Sequence, residues 1–343
     1  MKSWKHFSLY LTIVLFCIMG SSCAPVVSGN SLPVVDESQY LTVFTCYPEE
    51  IYAPLVEEFE SRTGLWIQVM TGDSEELLNT LEEENDGQID VLLGGDIGLL
   101  NAHKSLFTPY TSEQCLPTEA LDIYNGDGLW SCFSVRPLVF VYNTKLVSKG
   151  DTHFSWKHLT DPKWKGRIAF ADPSASMPCF TALSVAVQLY GEKYAEKFAC
   201  NLDGKCLERF SDVVRFVANG TYLIGVTLED IAQDAIADGM DIAYLYPEDG
   251  VGAAVDGIAI VSKAPHLENA RNFVDFALSR DTQYFLCETQ NWRPVWSDID
   301  TTGRQKLENL DLYYCGQGWS MQEQEDLLTR WQSAYASAEG NAS

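Results

Sequence analysis

GRIAFADPSASMPCFTALSVAVQLYG, residues 166–191, decides how the chain is read. Its first six residues alternate and are rich in aliphatics, which predicts a strand over 166–171. Asp172 and Pro173 end that strand, because a proline cannot extend a central ladder. Ser174, Ala175 and Ser176 form a small polar turn. From Thr181 the period changes: Leu183, Ala186, Val187 and Tyr190 recur at i, i+3, i+4 and i+7, the apolar face of a helix that Gly191 closes. A strand, a hydroxyl-rich turn and a helix start put unpaired N–H groups and the positive end of a helix dipole beside Ser174, Ser176 and Thr181, a place suited to an anion. An ordinary capped βα turn has the same residues. What separates the two readings is recurrence of the design along the chain.

Working outward, LTVF (41–44), LWIQVM (65–70), IDVLLGGD (89–96), SVRPLVFVYN (134–143), YLIGVT (222–227), MDIAYLYPEDG (240–250) and DGIAIV (256–261) are predicted to carry strands. Pro137 inside the long apolar strand marks an edge or a bend. Helices are predicted between them. One opens at Pro48–Glu49–Glu50, with Ile51, Leu55 and Phe59 as its buried stripe. Others lie near 192–200, 211–218, 266–279, 281–288 and 321–336. Alternation of this kind means α/β architecture with mostly parallel sheets. Five strand ends carry short polar turns: TCYPEE, GGD, DPSAS, TLED and PEDG. Ligands in open α/β sheets sit outside such ends, so five of them suggest two sheets facing across a cleft.

The 343 residues are 46% hydrophobic and 21% charged, enough for real cores. Lys+Arg 23 against Asp+Glu 48 gives −25. That balance argues against a nucleic-acid partner and against a basic lipid-binding patch. The first residues read as a targeting segment: Lys2 and Lys5, an apolar run over 9–19, then Gly20, Ser21, Ser22 and Cys23. Residues 24–37 are rich in Pro, Ser, Gly and Val and read as a tether. Beyond Cys17 and Cys23, eight cysteines remain. Cys115 with Cys132, Cys200 with Cys206, and Cys287 with Cys315 are the pairs close in sequence; free buried thiols are the other reading. The absence of any CxxC argues against zinc, and no metal or cofactor is expected.

The strings VFTCYPEEIYAPLVEEFESRTG, IDVLLGGD, LFTPYTSE, FSVRPLVFVYNTKLV, SWKHLTDPKWKGRIAFADPSAS, IGVTLEDIAQDAIADG, YPEDGVGAAVDGIAIV and ENARNFVDFALSRDTQYFL span most of residues 41–295 in order. Together they resemble the extracellular solute-binding proteins of ATP-driven importers. The branch is the one labelled ferric-iron binding, which also holds binders of hexose phosphates, phosphoglycerate and aminoethylphosphonate. IMGSSC resembles a bacterial lipobox, with Ile18 or Met19 where Leu is usual. That implies cleavage before Cys23 and its lipidation.

The resemblance implies a type II periplasmic-binding-protein-like fold: α/β, two lobes with mixed, mostly parallel sheets joined by crossing hinge strands. The implied organisation is a signal peptide over 1–22 and a lipid-anchored tether over 23–37. One lobe takes 38–133 with 257–285, the other takes 134–256, and 286–343 form C-terminal helices packed on the lobes. It further implies a monomer held outside the cytoplasm by its lipid, a small-molecule solute, and an ABC permease as partner.

The chemistry then narrows the ligand. A bare ferric site needs hard anionic oxygen donors. Iron-binding members place adjacent tyrosines where this chain has Thr227, Leu228, Glu229 and Asp230. Its one adjacent pair, Tyr313–Tyr314, lies in the C-terminal tail. A phosphorylated organic anion fits better. Ser174, Ser176 and Thr181 would face the phosphate, Thr45 would oppose them from a second helix start, and Asp96, Glu229 and Asp230 would accept from sugar hydroxyls. Thr227 completes the expected ligand-binding set. Glu49, Glu50, Asp96 and Asp230 are equally placed as helix caps or first-turn charges. Arg136 and Arg293 could meet an anion or pair with a carboxylate. Ferric iron is the alternative, followed by a polyamine caged by acids and by Trp130, Tyr244, Tyr246 and Trp292. None of the five histidines sits in a strand-end turn, and no GxSxG, HxxxH or P-loop string occurs, so no enzyme is expected.

Overall fold

A computed structural model describes residues 37–84, 87–114, 123, 127–152, 154–301, 303–314 and 319–342. The expected signal peptide, Cys23, nearly all of the tether, Cys115, His153 and Cys315 lie outside the described residues. The first part of the chain runs β1 (Tyr40–Thr45), α1 (Glu49–Thr63), β2 (Trp66–Thr71), α2 (Ser74–Glu83), β3 (Val91–Asp96), α3 (Ile97–Ala102) and β4 (Phe107–Thr108). Then come the long β5 (Ser131–Asn143), β6 (Ile168–Ala169), α4 (Met177–Tyr190), α5 (Lys193–Leu202), α6 (Asp212–Ala218), β7 (Ile224–Leu228), α7 (Glu229–Ala237) and β8 (Ile242–Leu245). A second long strand, β9 (Val251–Val261), leads to α8 (Leu267–Leu278), α9 (Arg280–Gln290), β10 (Leu312–Tyr314) and α10 (Met321–Ala342).

The sheet order is β2-β1-β3-β9-β5-β7-β6. β1 pairs in parallel with β2 and β3, β6 with β7, and β10 with β9. Every antiparallel pair among the described residues involves β5 or β9. These two are the crossing strands: each half of the sheet is built on one stretch of β5. Residues up to Pro137 pair with β9, and residues from Leu138 onward pair with β7. Pro137, which has no N–H to give, therefore stands where β5 changes partners.

Each half is covered on both faces, which explains why its strands read as unbroken apolar runs. One half packs Leu41, Val43, Phe59 and Phe273 on one side, and Leu78, Leu92, Leu100 and Val255 on the other. The other half packs Phe140, Trp156, Phe170 and Phe198 against α4, with Val139, Val213 and Ala232 on its opposite side. Phe140 and Trp156 meet edge to face at 4.9 Å. Burying each such ring stabilises by about 1.5–3 kcal/mol before the entropy of ordering it.

Several sequence expectations need correcting. Residues 166–171 form only the two-residue β6. Gly166 enters at φ +66, and the main chain of Phe170 and Asp172 bonds to Leu207 instead of to a long neighbouring strand. Alternation reports extended backbone, not the length of its partner. α4 begins at Met177 rather than near Thr181, with Pro178 tolerated in the first turn. Residues 179–187 of α4 are all buried, so a one-sided apolar pattern had little to report. Residues 251–255 belong to β9, and Tyr313–Tyr314 are not a free tail but part of β10 on β9. Cys200 and Cys206 are thiols, not a disulfide.

Candidate ligand-binding site

β7 ends at Leu228, opposite Leu138 of β5, and β3 ends at Asp96, opposite Asp256 of β9. Asp256 in turn pairs with Ser134 of β5. The C-terminal ends of the two half-sheets thus face each other across residues 134–138 of β5, about 13 Å at ~3.3 Å per residue. Because β6 runs parallel to β7, the start of α4 lies at the same edge as Glu229 and Asp230.

The floor between those ends is charged and interlocked. Arg136 binds Asp230 Oδ2 through Nε at 3.0 Å and through its second terminal nitrogen, and its guanidinium lies over the Trp292 ring at 5.3 Å. Tyr47 donates to Asp256 Oδ2 at 3.0 Å, and Ser134 donates to the same oxygen at 3.4 Å. Arg293 grips Glu229 at 2.6 and 2.9 Å and donates to Tyr246 at 2.7 Å. Tyr246 also bonds Glu229. Both partners of the Arg293–Glu229 pair are almost wholly buried, at 2% and 1% exposure.

Two β-bulges aim this floor. Leu93 faces Ile258, yet Asp96 faces Asp256, so β3 carries one extra residue there. Cys132 faces Gly257 and Ser134 faces Asp256, so β5 carries another. Gly94 and Gly95 make the first bulge at φ +97 and +91. A Cβ on Gly94 would stand 3.0 Å from both the Cys46 sulfur and the Tyr47 ring. Without the extra residue Asp96 would point to the other face. With it, Asp96, Asp256 and Ser134 form a row across three strands.

Electrostatics follow from burial. Asp96 is pushed up to about 7, by burial first and by Asp256 second. Asp256 is also raised by burial, with Arg136, Tyr47 and Ser134 opposing. Burial and then Asp256 hold the Tyr47 phenol well above its usual range. Tyr246 is raised as well, by burial and then by Glu229.

The expected ligand residues have divided fates. Thr45 is spent internally: its hydroxyl donates to Leu93 O at 2.8 Å and accepts from Tyr47 N. Glu229 is sealed by Arg293, and Asp230 is held by Arg136 through one oxygen only. Asp96 caps α3 through Gly98 N. Ser174 is exposed, and its N–H goes to Asp172. Ser176 is the N-cap of α4, yet its side chain makes no capping bond. Thr227 shares a face with Val139, whereas α4 packs on the opposite face with Leu138 and Leu228, so the sheet separates Thr227 from Thr181. Trp130 is core, bonded to Asn101, and does not line a cage. Sequence reasoning missed Tyr47, Ser134 and Asp256 as members of this floor, and named Trp292 only as part of an amine cage. The Gly94–Gly95 pair was the available signal, as the mark of a bulge beside an acid.

Buried polar atoms without a partner gather here. Ser74 Oγ, Asp96 Oδ2, Ser176 Oγ, Thr181 Oγ1, Thr227 Oγ1 and Asp230 Oδ1 all lie in the segments at or just beyond these strand ends. Orphaned buried groups are uncommon and costly; Trp164 Nε1, Arg271 Nε and Asp275 Oδ1 are others among the described residues, away from these strand ends.

The sequence model of bacterial extracellular solute-binding proteins matches residues 89–311. The chain belongs to that family. Its relatives include Iron uptake protein A1 of Synechocystis sp., 27% identical over 308 residues that cover 84% of each chain. Among solved structures, iron-bound HitA from Pseudomonas aeruginosa aligns with a TM-score of 0.73 at 21% identity, covering 86% of this chain and 99% of that one. AfuA from Actinobacillus pleuropneumoniae, with fructose-6-phosphate bound, aligns with a TM-score of 0.69 at 23% identity, covering 87% and 98%. This solute-binding protein therefore has the periplasmic-binding-protein fold, and its relatives include proteins named for iron uptake, ferric-iron binding and aminoethylphosphonate binding. Among the described residues no helix is long and apolar enough to cross a membrane.

Proposed function

We propose that this solute-binding protein captures a phosphorylated organic anion, of sugar-phosphate or phosphonate type, between its two lobes and delivers it to an ABC permease. Residues 38–133 with 257–285 would move against 134–256, with β5 and β9 as hinge strands. The observation that carries the reading is Ser176: a buried hydroxyl at the head of the 14-residue α4, with no capping bond of its own and only the weakly bonding Cys179 thiol beside it. The first-turn N–H groups and the dipole of α4 favour negative charge at that point, and Ser174 adds an exposed hydroxyl beside it. The bound anion would supply Ser176 with a stronger acceptor than that thiol.

Ferric iron fits the floor less well. Tyr244, Tyr246 and Glu229 are hard donors close together, but the Arg293 cation already fills the Glu229 carboxylate.

Calorimetric titration with fructose 6-phosphate, inorganic phosphate and ferric citrate tests the reading. The phosphate probes are expected to bind. Ser176→Ala should weaken them by about 0.5–1.5 kcal/mol, and Ser176→Asp should abolish binding by placing a like charge where the anion sits. A coloured, stoichiometric ferric complex without phosphate binding would overturn it. For anchoring, Cys23→Ala should move the protein out of the membrane fraction. Retention of an unprocessed chain there would show that the leader itself anchors.

A further inference from the structure

The row Asp96–Asp256–Ser134 has no part in the phosphate end of the site, yet two bulges are spent on building it. Asp96 and Asp256 are cross-strand partners, so their side chains lie on one face of neighbouring strands. Asp256 is committed to remaining an acceptor: Tyr47 and Ser134 both donate to its Oδ2, and Arg136 stands near. Asp96 differs. One oxygen takes the Gly98 N–H, and the other is buried with no partner, in a side chain only 8% exposed. Two facing carboxyl groups in a dry place do not both ionise, and the proton goes to the one less well supplied with donors.

We propose that Asp96 and Asp256 form a one-proton carboxyl–carboxylate dyad that binds a hydroxyl of the ligand's sugar end. Asp96 supplies an O–H donor and Asp256 an acceptor. A hydroxyl both donates and accepts, so it satisfies the pair without moving a proton. A phosphate oxygen only accepts and is repelled by Asp256, which assigns the two ends of a sugar phosphate to opposite walls. The titratable groups facing the dyad are Cys46 and Tyr47 from the segment after β1, Arg136 from β5 and Asp230 from α7. Arg136 is the single cation of the four, and it is already shared with Asp230.

The choice of a sugar phosphate rests on the function proposed above, and the test separates the two. The full chain, with carbon-13 in its aspartate carboxyls, is titrated without ligand. One dyad carboxyl should titrate near neutrality, and Asp256→Asn should lower that midpoint while leaving it above the ordinary range, because burial remains. Fructose 6-phosphate, and free fructose at high concentration, should each shift the Asp96 resonance. Asp256→Asn should weaken fructose 6-phosphate tenfold or more and leave inorganic phosphate within about twofold, whereas Asp96→Asn, whose amide keeps the cap on α3 and offers an N–H in place of the O–H, should change both probes by no more than about threefold. Ordinary titration of both carboxyls, no shift with either sugar, or equal losses for both probes in Asp256→Asn would overturn the dyad. Fructose shifting the resonance while neither phosphate probe binds would keep the dyad and sink the phosphate reading.

Discussion

Asp90 and Asp96 stand just before and at the end of β3, and the chain treats them in opposite ways. Asp90 is fully buried, and both its oxygens are occupied: it accepts from Thr42 N at 2.8 Å, from His266 N at 2.7 Å, and lies 2.9 Å from His266 Nδ1. Asp96 has one oxygen bonded and one empty. The first clamps β1, β3 and the start of α8 together. The second leaves hydrogen-bonding capacity unspent, at a cost in stability, where the two half-sheets face each other. A buried acid is thus structural or poised according to whether its lone pairs are filled, not according to its burial.

The largest test of that contrast lies across the floor. Arg293→Ala strands the Glu229 carboxylate, and breaking such a buried pair from one side should cost about 3–5 kcal/mol in urea unfolding. A loss below about 1 kcal/mol would mean that Glu229 finds water or Arg304 as a substitute.

Asp90→Asn should come next, at about 1–3 kcal/mol, because the amide nitrogen is a donor placed among donors. Ligand affinity should be unchanged once the variant is folded. A neutral result would remove Asp90 from the structural side of the comparison.

Asp96→Asn should act with the opposite sign. With its folded pKa pushed up to about 7 from 3.8, Asp96 contributes stability that is fully present below pH 3.8 and lost as pH rises through 7. The variant should therefore melt higher than the parent at pH 8.5 and no higher at pH 4. Thermal scans at the two pH values would settle it, and parallel curves would show that Asp96 is not poised.

Much of this was legible in the sequence. The period of 166–191 gave the strand–turn–helix order, and the alternation of elements gave the α/β class. Pro137 was read as an edge or bend because its missing N–H is a local fact, and it does mark the switch of partners in β5. Asp96, Glu229 and Asp230 were picked out as strand-end acids. What failed was everything that depends on a partner. Thr45 looked like a ligand donor until Leu93 O took its proton, and Glu229 looked open until Arg293, distant in sequence, filled it.

The sequence by itself determined the element order and the family, and it put polar turns at one edge of the sheet, because periodicity, turn chemistry and motif strings are properties of neighbouring residues. Only the tertiary structure decided which polar groups at that edge are already satisfied. Hydrogen bonds such as Tyr47 to Asp256 join residues 209 positions apart, and the bulges that bring Asp96 onto the face of Asp256 exist only once strands pair. Local patterns say where a side chain is carried; long-range pairing says what is left for it to bind.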